Sequence, residues 1–291
     1  MEATDLFKKV RKIEIKTRGL SNQIFAGQYH SAFKGRGMAF SEVREYQYGD
    51  DIRNIDWNVT ARFNHPYVKI FDEERELTVM LLIDVSGSNE FGTKTHLKED
   101  QITEIAAVLA FSAINNNDKV GVIFFSNKIE KFIPPKKGST HILRIIRELI
   151  NFKPENRETD ISEALAYFTN VIKKRCTAFL ISDFLDQNFE KALQIANRKH
   201  DLVAVRIFDE REYVLPNIGL VKMKNAETGK KMWVDTSNSK LREAYRINGI
   251  KRNTILNEVF LKCGVDVANI NSHEDYVKPL INLFKQRGAR K

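Results

Sequence analysis

The sequence predicts an α/β fold built on a doubly wound, mostly parallel sheet. Three observations carry that expectation. From about Leu77 onward, short apolar runs alternate with segments whose apolar residues recur at helical spacing. The runs "LTVMLLI", "KVGVIFFS", "TAFLIS" and "DLVAVRIF" are apolar residue after residue, as in strands covered on both faces. Helices stand between them, and right-handed crossovers through such helices wind the sheet in both directions.

In chain order, Leu77–Ile83 is the first strand. "LKEDQITEIAAVLAFSAINNN" follows as a helix, with Ile102, Ile105, Ala106, Leu109 and Ala113 on its apolar face and an Asn run at its end. "KVGVIFFS" is the second strand, and "KIEKFIPP" a shorter one stopped by its two prolines. "STHILRIIRELINF" reads as a helix opened by a Ser-Thr cap. "DISEALAYFTNVIKKR" is another, with basic residues in its last turn, where the helix dipole favours them. "TAFLISDF" and "DLVAVRIF" flank a helix at Phe189–Arg198. Beyond Phe208 the pattern changes to a β-hairpin near residues 211–236, then a long helix, the strand "VDVANI" and a final helix.

The expected division is 1–76 and 77–291. The first part opens with a basic amphipathic helix up to about Thr17. Short strands and turns follow, rich in paired charges and attached to the main sheet. The chain has 291 residues, 42% hydrophobic and 29% charged, enough for a substantial core in a globular protein. No apolar run approaches the ~18 residues of a membrane span. The N-terminal stretch shows no signal-peptide h-region. Cys176 and Cys263 are too few for a disulfide framework and suit buried thiols in a reducing, cytoplasmic compartment. The net charge of +9 is scattered in small clusters, with no aromatics interleaved. Solvated helix ends explain that pattern better than a nucleic-acid surface, and any membrane contact is at most peripheral.

The functional signal sits where the first strand ends. "IDVSGS" places Asp84, Ser86 and Ser88 on alternate positions, so that all three can face one side of an extended turn. Asp183 stands in the same relation to "TAFLIS", and Thr159 lies just before the helix that begins near Asp160. Ligands in open α/β sheets bind beyond the carboxyl ends of the strands, so three loops deliver oxygen atoms to one crevice. A hard divalent cation such as Mg²⁺ takes about six oxygens, and hydroxyls with carboxylates suit it. The same residues also suit helix caps and a braced loop.

This ordered set resembles the metal-ion-dependent adhesion site (MIDAS) of von Willebrand factor type A (vWA) domains, which sit on a Rossmann-like sheet. The matching residues are Asp84, Ser86 and Ser88, then Thr159, then Asp183, within roughly residues 77–291. One departure is "RETD", where Glu158 stands in the place often held by glycine. The resemblance implies metal-dependent protein recognition. Mg²⁺, with Mn²⁺ or Ca²⁺ as substitutes, would take an acidic residue of a client protein to complete its shell.

A second block, "GRGMAFSEVREYQYGDDIRNIDWNVTARFNHPYVKIFDEERE", resembles the signature of the bacterial domain-of-unknown-function family fifty-eight. The matching positions are Gly35, Gly37, Val43, Arg44, Tyr46, Gly49 to Trp57, and Ala61–Arg62. That resemblance implies partnership with a MoxR-type AAA+ ATPase in a chaperone-like, complex-assembly role. The charges around Tyr46 and Trp57 either hold a turn-rich lobe together or form a docking face of Arg44, Asp51, Arg53, Trp57 and Arg62 for that ATPase.

No enzyme is expected. Dehalogenase-type phosphatases carry a second acid two residues after the strand-end aspartate, where this chain has Ser86. No Gly-x-Ser-x-Gly elbow or Walker loop is present. The six histidines form no metal-ligand pair. The alternative reading is a peripheral membrane or nucleic-acid binding protein acting through its basic surface; behind it stands a metal-assisted hydrolase using Asp84 and Asp183, which lacks an evident general base.

Overall fold

The computed structural model describes residues 39–72, 77–90, 98–224 and 231–289, together with Arg11, Ile13, Glu14 and Leu20. The helix expected up to about Thr17 falls outside these residues, apart from Arg11, Ile13 and Glu14, which are helical. Contacts divide the chain into two compact units, Lys34–Leu77 and one that contains Thr78–Lys291.

In the smaller unit, β1 (Ala39–Glu45) pairs antiparallel with β2 (Tyr67–Asp72), with an irregularity between Phe40 and Glu42. These strands form a sheet of their own, rather than joining the main sheet as the sequence suggested. A 3₁₀ turn (Ile52–Asn54) and α1 (Trp57–Phe63) connect them. Asp51 caps the turn, and Asp56 caps α1 by accepting from the N–H groups of Asn58 and Val59. Arg44 grips Asp50 with two guanidinium nitrogens at 2.8 and 2.7 Å. Much of the charged signature is therefore used locally, to start elements and tie the hairpin.

The larger unit is organised by one six-stranded sheet. β3 (Thr78–Asp84) is followed by α2 (Lys98–Asn115), β4 (Lys119–Phe125) and β5 (Ile129–Lys136). Next come α3 (Ser139–Asn151), α4 (Ile161–Val171), β6 (Thr177–Ser182), α5 (Glu190–Lys199) and β7 (Asp201–Phe208). The hairpin is β8 (Leu220–Lys224) with β9 (Lys231–Asp235), then α6 (Ser239–Cys263), β10 (Asp266–Asn271) and α7 (Val277–Ala289). The strand order is β10-β7-β6-β3-β4-β5, parallel throughout except for β5 at the edge. From β3 the chain moves outward through β4 and β5, then returns to β6 and moves outward the other way. The switch in direction lies between β3 and β6, which is where an α/β sheet opens a crevice at its carboxyl edge.

β3 lies between two parallel neighbours, and Val79 to Ile83 are wholly buried. That burial explains the unbroken apolar run. Two local expectations need correction. β5 runs through Pro134 and Pro135 to Lys136 instead of stopping at them. An edge strand tolerates residues without an N–H, and the pairing with β4 is irregular between Val120 and Val122. Ser139 and Thr140 are the first helical residues of α3, and its N-cap is Gly138 at φ 98° with no side-chain bond.

Gly121 sits at that irregular pairing. A Cβ there would meet Met80 Sδ at 2.7 Å and the Pro135 nitrogen at 2.9 Å. Two backbones and a core thioether thus converge on a position with room for hydrogen alone. Gly121→Ala is expected to lower stability by about 1–3 kcal/mol in urea unfolding. An unchanged midpoint would contradict this account of the edge pairing.

Candidate functional site

Asp84 ends β3 and is 1% exposed. Its Oδ1 accepts the Ser86 N–H at 2.9 Å, folding the chain at once into the 3₁₀ turn Gly87–Glu90. That fold brings the Ser86 and Ser88 hydroxyls to 3.0 Å from each other, both side chains buried. Two backbone bonds tie the next loop to the same place. Gly87 donates to the Arg157 carbonyl at 2.9 Å, and Asp160 donates to the Ser126 carbonyl, just past β4, at 3.0 Å. Thr159 lies between these ties, and its buried Oγ1 has no hydrogen-bond partner among the described residues. It does not cap α4. Asp160 does, accepting from the Glu163 N–H at 2.9 Å.

The third loop leaves β6. Ser182 donates from its hydroxyl to Asp84 Oδ2 at 2.6 Å and accepts the Phe184 N–H at 3.1 Å. Asp183, also 1% exposed, accepts the Leu185 N–H on Oδ1 at 3.2 Å. Phe184 holds a left-handed conformation, φ 57°, and its ring packs at a tilt against Phe189 and edge-on against Phe260 of α6. The turn after Asp183 is thereby fixed from the core side.

Asp183 also meets a cation from the chain itself. Lys98, the first residue of α2 and 1% exposed, places Nζ 3.4 Å from Asp183 Oδ2 and also donates to Glu212 Oε1. Glu212 belongs to the 3₁₀ turn Glu210–Glu212 that follows β7. Its Oε1 also accepts the Asp209 N–H at 3.2 Å, and its Oε2 is buried without a partner among the described residues. A cleft of about 420 Å³ opens alongside, with Phe184, Arg206, Glu212 and Ile255 in its wall.

Asp84, Ser86 and Ser88 therefore share one knot of hydrogen bonds, and Ser182 joins Asp84 to the loop of Asp183. Burial, and then the negative charge of Asp183, push the Asp84 carboxyl up to about 7, against the hydrogen bonds from Ser182 and Ser86. The Asp84 and Asp183 carboxyls, the Ser86–Ser88 hydroxyl pair and the Thr159 hydroxyl, unpartnered among the described residues, offer oxygen donors alone, the chemistry a hard divalent cation takes. Among the described residues no three His, Cys, Asp or Glu side chains cluster as metal ligands, so hydroxyls are essential to any such set.

The docking set lies in the Lys34–Leu77 unit. Arg44 is paired with Asp50 and Arg53 with Asp51, while Trp57 is 70% exposed and Arg62 is exposed. Sequence reasoning missed Ser182, Lys98 and Glu212. A signal existed for two of them. Ser182 is a hydroxyl at the end of a doubly covered strand, and Lys98 is a cation at a helix N-terminus, where the dipole disfavours one.

The shift of Asp84 has a sign that can be tested. A carboxyl held above its ordinary value keeps its proton in the folded state after the unfolded chain has lost it. Stability contributed by that proton is complete below about pH 4 and is lost as pH rises toward about 7. With a chelator present, Asp84→Asn is expected to gain roughly 2–4 kcal/mol on wild type between pH 4 and pH 8 in urea unfolding. Parallel pH profiles would refute the assignment.

Sequence comparison finds relatives in bacteria. The uncharacterized protein Rv1480 of Mycobacterium tuberculosis is 26% identical over 287 residues, covering 96% of this chain and 90% of its own length. YeaD of Bacillus subtilis is 25% identical over 131 residues, 45% of this chain and 29% of that protein. Among solved structures, the conserved hypothetical protein BatB from Bacteroides thetaiotaomicron aligns with a TM-score of 0.47 at 13% identity, covering 74% of this chain and 100% of that one. The SpRpn10 VWA domain aligns with a TM-score of 0.38 at 13% identity, covering 71% and 94%. The model of the family described as protein of unknown function DUF58 matches residues 42–254, from β1 into α6. The match takes in the charged N-terminal signature from Glu42 onward and the crevice between β3 and β6, and the chain belongs to the DUF58 family.

Proposed function

We propose that this protein is a metal-dependent protein-interaction module. Ser86, Ser88 and Thr159 would hold Mg²⁺ through their hydroxyls, with Asp84 and Asp183 supplying the negative charge. The bound ion would offer an electrophilic position that a partner's Asp or Glu carboxylate fills. The observation that carries this reading is the buried Thr159 hydroxyl, without a partner among the described residues, in a loop pinned to the turn of Asp84, a carboxyl whose ionisation burial makes costly. A structural cap or brace would have used that hydroxyl, and Asp160 performs the capping instead.

The chain's own residues prepare the position. Ser182 orients Asp84, the Ser86 N–H fixes the turn, and the Phe184 turn aims Asp183. The role is recognition rather than turnover, since the place of a phosphatase's second acid is taken by Ser86. The proposal extends to a MoxR-type AAA+ ATPase as partner in complex assembly or maturation, in the cytoplasm. Support for a docking face comes from the Lys34–Leu77 unit, where Tyr48, Ile52, Trp57 and Phe63 are all more than half exposed. Among the described residues no helix is long and apolar enough to cross a membrane.

Calorimetric titration with Mg²⁺ or Mn²⁺ tests the site. Ser86→Ala/Ser88→Ala is expected to lose at least tenfold in affinity while its unfolding midpoint in chelator stays near wild type. Recovery of partners from native lysate should require both divalent metal and the intact serines. Equal recovery by both proteins, with metal or chelator, would overturn the mechanism. Trp57→Ala should weaken capture of a purified MoxR-type ATPase several-fold with metal affinity unchanged, and undiminished capture would remove Trp57 from that interface.

A further inference from the structure

Asp183 already faces one cation. The Lys98 ammonium is buried, 3.4 Å from Asp183 Oδ2, and it is bonded on its other side to Glu212. With a carboxylate on either side, the ammonium is the shared cation of two ion pairs. Glu212 is itself well braced. It occupies the last position of a capping box with Asp209, and Asp209 is held by the Ser272 hydroxyl at 3.0 Å, by His273 Nε2 at 3.1 Å and by the Arg211 N–H at 2.8 Å. Two anions, one on each side, thus share one flexible ammonium, and one of the two belongs to the candidate metal set.

Resting on the metal reading above, we infer that Lys98 is a built-in competitor of the divalent cation for Asp183, and that Glu212 tunes the competition by drawing the ammonium to itself. A divalent ion on Asp183 raises the positive charge beside Lys98 in a site from which water is excluded. The ammonium is then better placed on Glu212, whose second oxygen Oε2 is buried and unpartnered among the described residues. Glu212 is accordingly a positioning residue. It acts on metal affinity through Lys98, although it is no ligand and is 114 residues away in sequence from the lysine it holds. One consequence is a weakly held ion until a partner carboxylate adds its own negative charge, so that metal and partner bind together.

The test is Mn²⁺ titration by calorimetry into wild type, Lys98→Met, Glu212→Gln and the charge-balanced double variant, each checked for a cooperative unfolding transition. Lys98→Met is expected to bind Mn²⁺ at least tenfold more tightly, and Glu212→Gln several-fold more weakly. In the Lys98→Met background, Glu212→Gln should change affinity less than twofold, because the ammonium through which it acts is gone. Should Lys98→Met fail to fold, the double variant carries the test, since it removes one charge of each sign and is expected to bind more tightly than wild type. Unchanged or weaker binding by Lys98→Met, an equal factor for Glu212→Gln in both backgrounds, or a folded double variant indistinguishable from wild type overturns the competitor alone. Absence of Mn²⁺ uptake by all four proteins overturns the metal reading on which it rests.

Discussion

The structure is organised around the cost of burying Asp84. A carboxylate at the end of a fully covered strand loses its water. The chain replaces that water with the Ser182 hydroxyl at 2.6 Å and the Ser86 N–H at 2.9 Å. Each replacement dictates something further. The bond to Ser86 turns the backbone so that the Ser86 and Ser88 hydroxyls meet. The bond to Ser182 ties the β3 end to the β6 end across the switch point of the sheet. The two strands are register partners up to Ile83 and Ile181, so the tie extends the ladder with side chains where backbone pairing stops. Asp183 then lies beside Asp84 by topology, and their mutual repulsion is a standing demand for positive charge.

That demand is met internally by Lys98, with Glu212 as a second anion to balance it. A buried three-membered charge cluster of this kind adds little net stability, because desolvation offsets most of the attraction. Breaking it is costly, and its value lies in fixing which groups face the crevice. The ion pairs of the Lys34–Leu77 unit are of a different kind. Arg53 and Asp51 are exposed, and such pairs contribute little. The lasting features of that unit are its caps, at Asp51 and Asp56, and the apolar side chains it leaves open to solvent.

Much of the larger unit was legible because doubly covered strands leave an unmistakable record. "LTVMLLI" and "TAFLIS" lie within a residue of the observed strands, and the Asp84, Ser86, Ser88 spacing is local enough to read directly. Three things were not legible. The partnership of Lys98 with Glu212 joins residues 114 positions apart, and no periodicity encodes it. Pro134 and Pro135 signalled a strand end because their missing N–H groups forbid a central strand. On an edge the same residues are harmless, and edge position is a property of the assembled sheet. Ser139 offered a cap that the chain does not use, since a glycine at positive φ had already turned it into α3. For the charged N-terminal signature, composition indicated dense pairing but not that β1 and β2 would form a two-stranded sheet of their own.

The left-handed Phe184 has a wider meaning than its place in the crevice suggests. A non-glycine residue in that conformation stores roughly 1–2 kcal/mol, and it persists because its ring is clamped between Phe189 and Phe260. Phe260 belongs to a 25-residue helix, most of whose surface is open to solvent. Through that ring contact the long helix packs directly on the turn whose Leu185 N–H holds Asp183, so the seating of α6 and the placing of that carboxylate are a single packing problem.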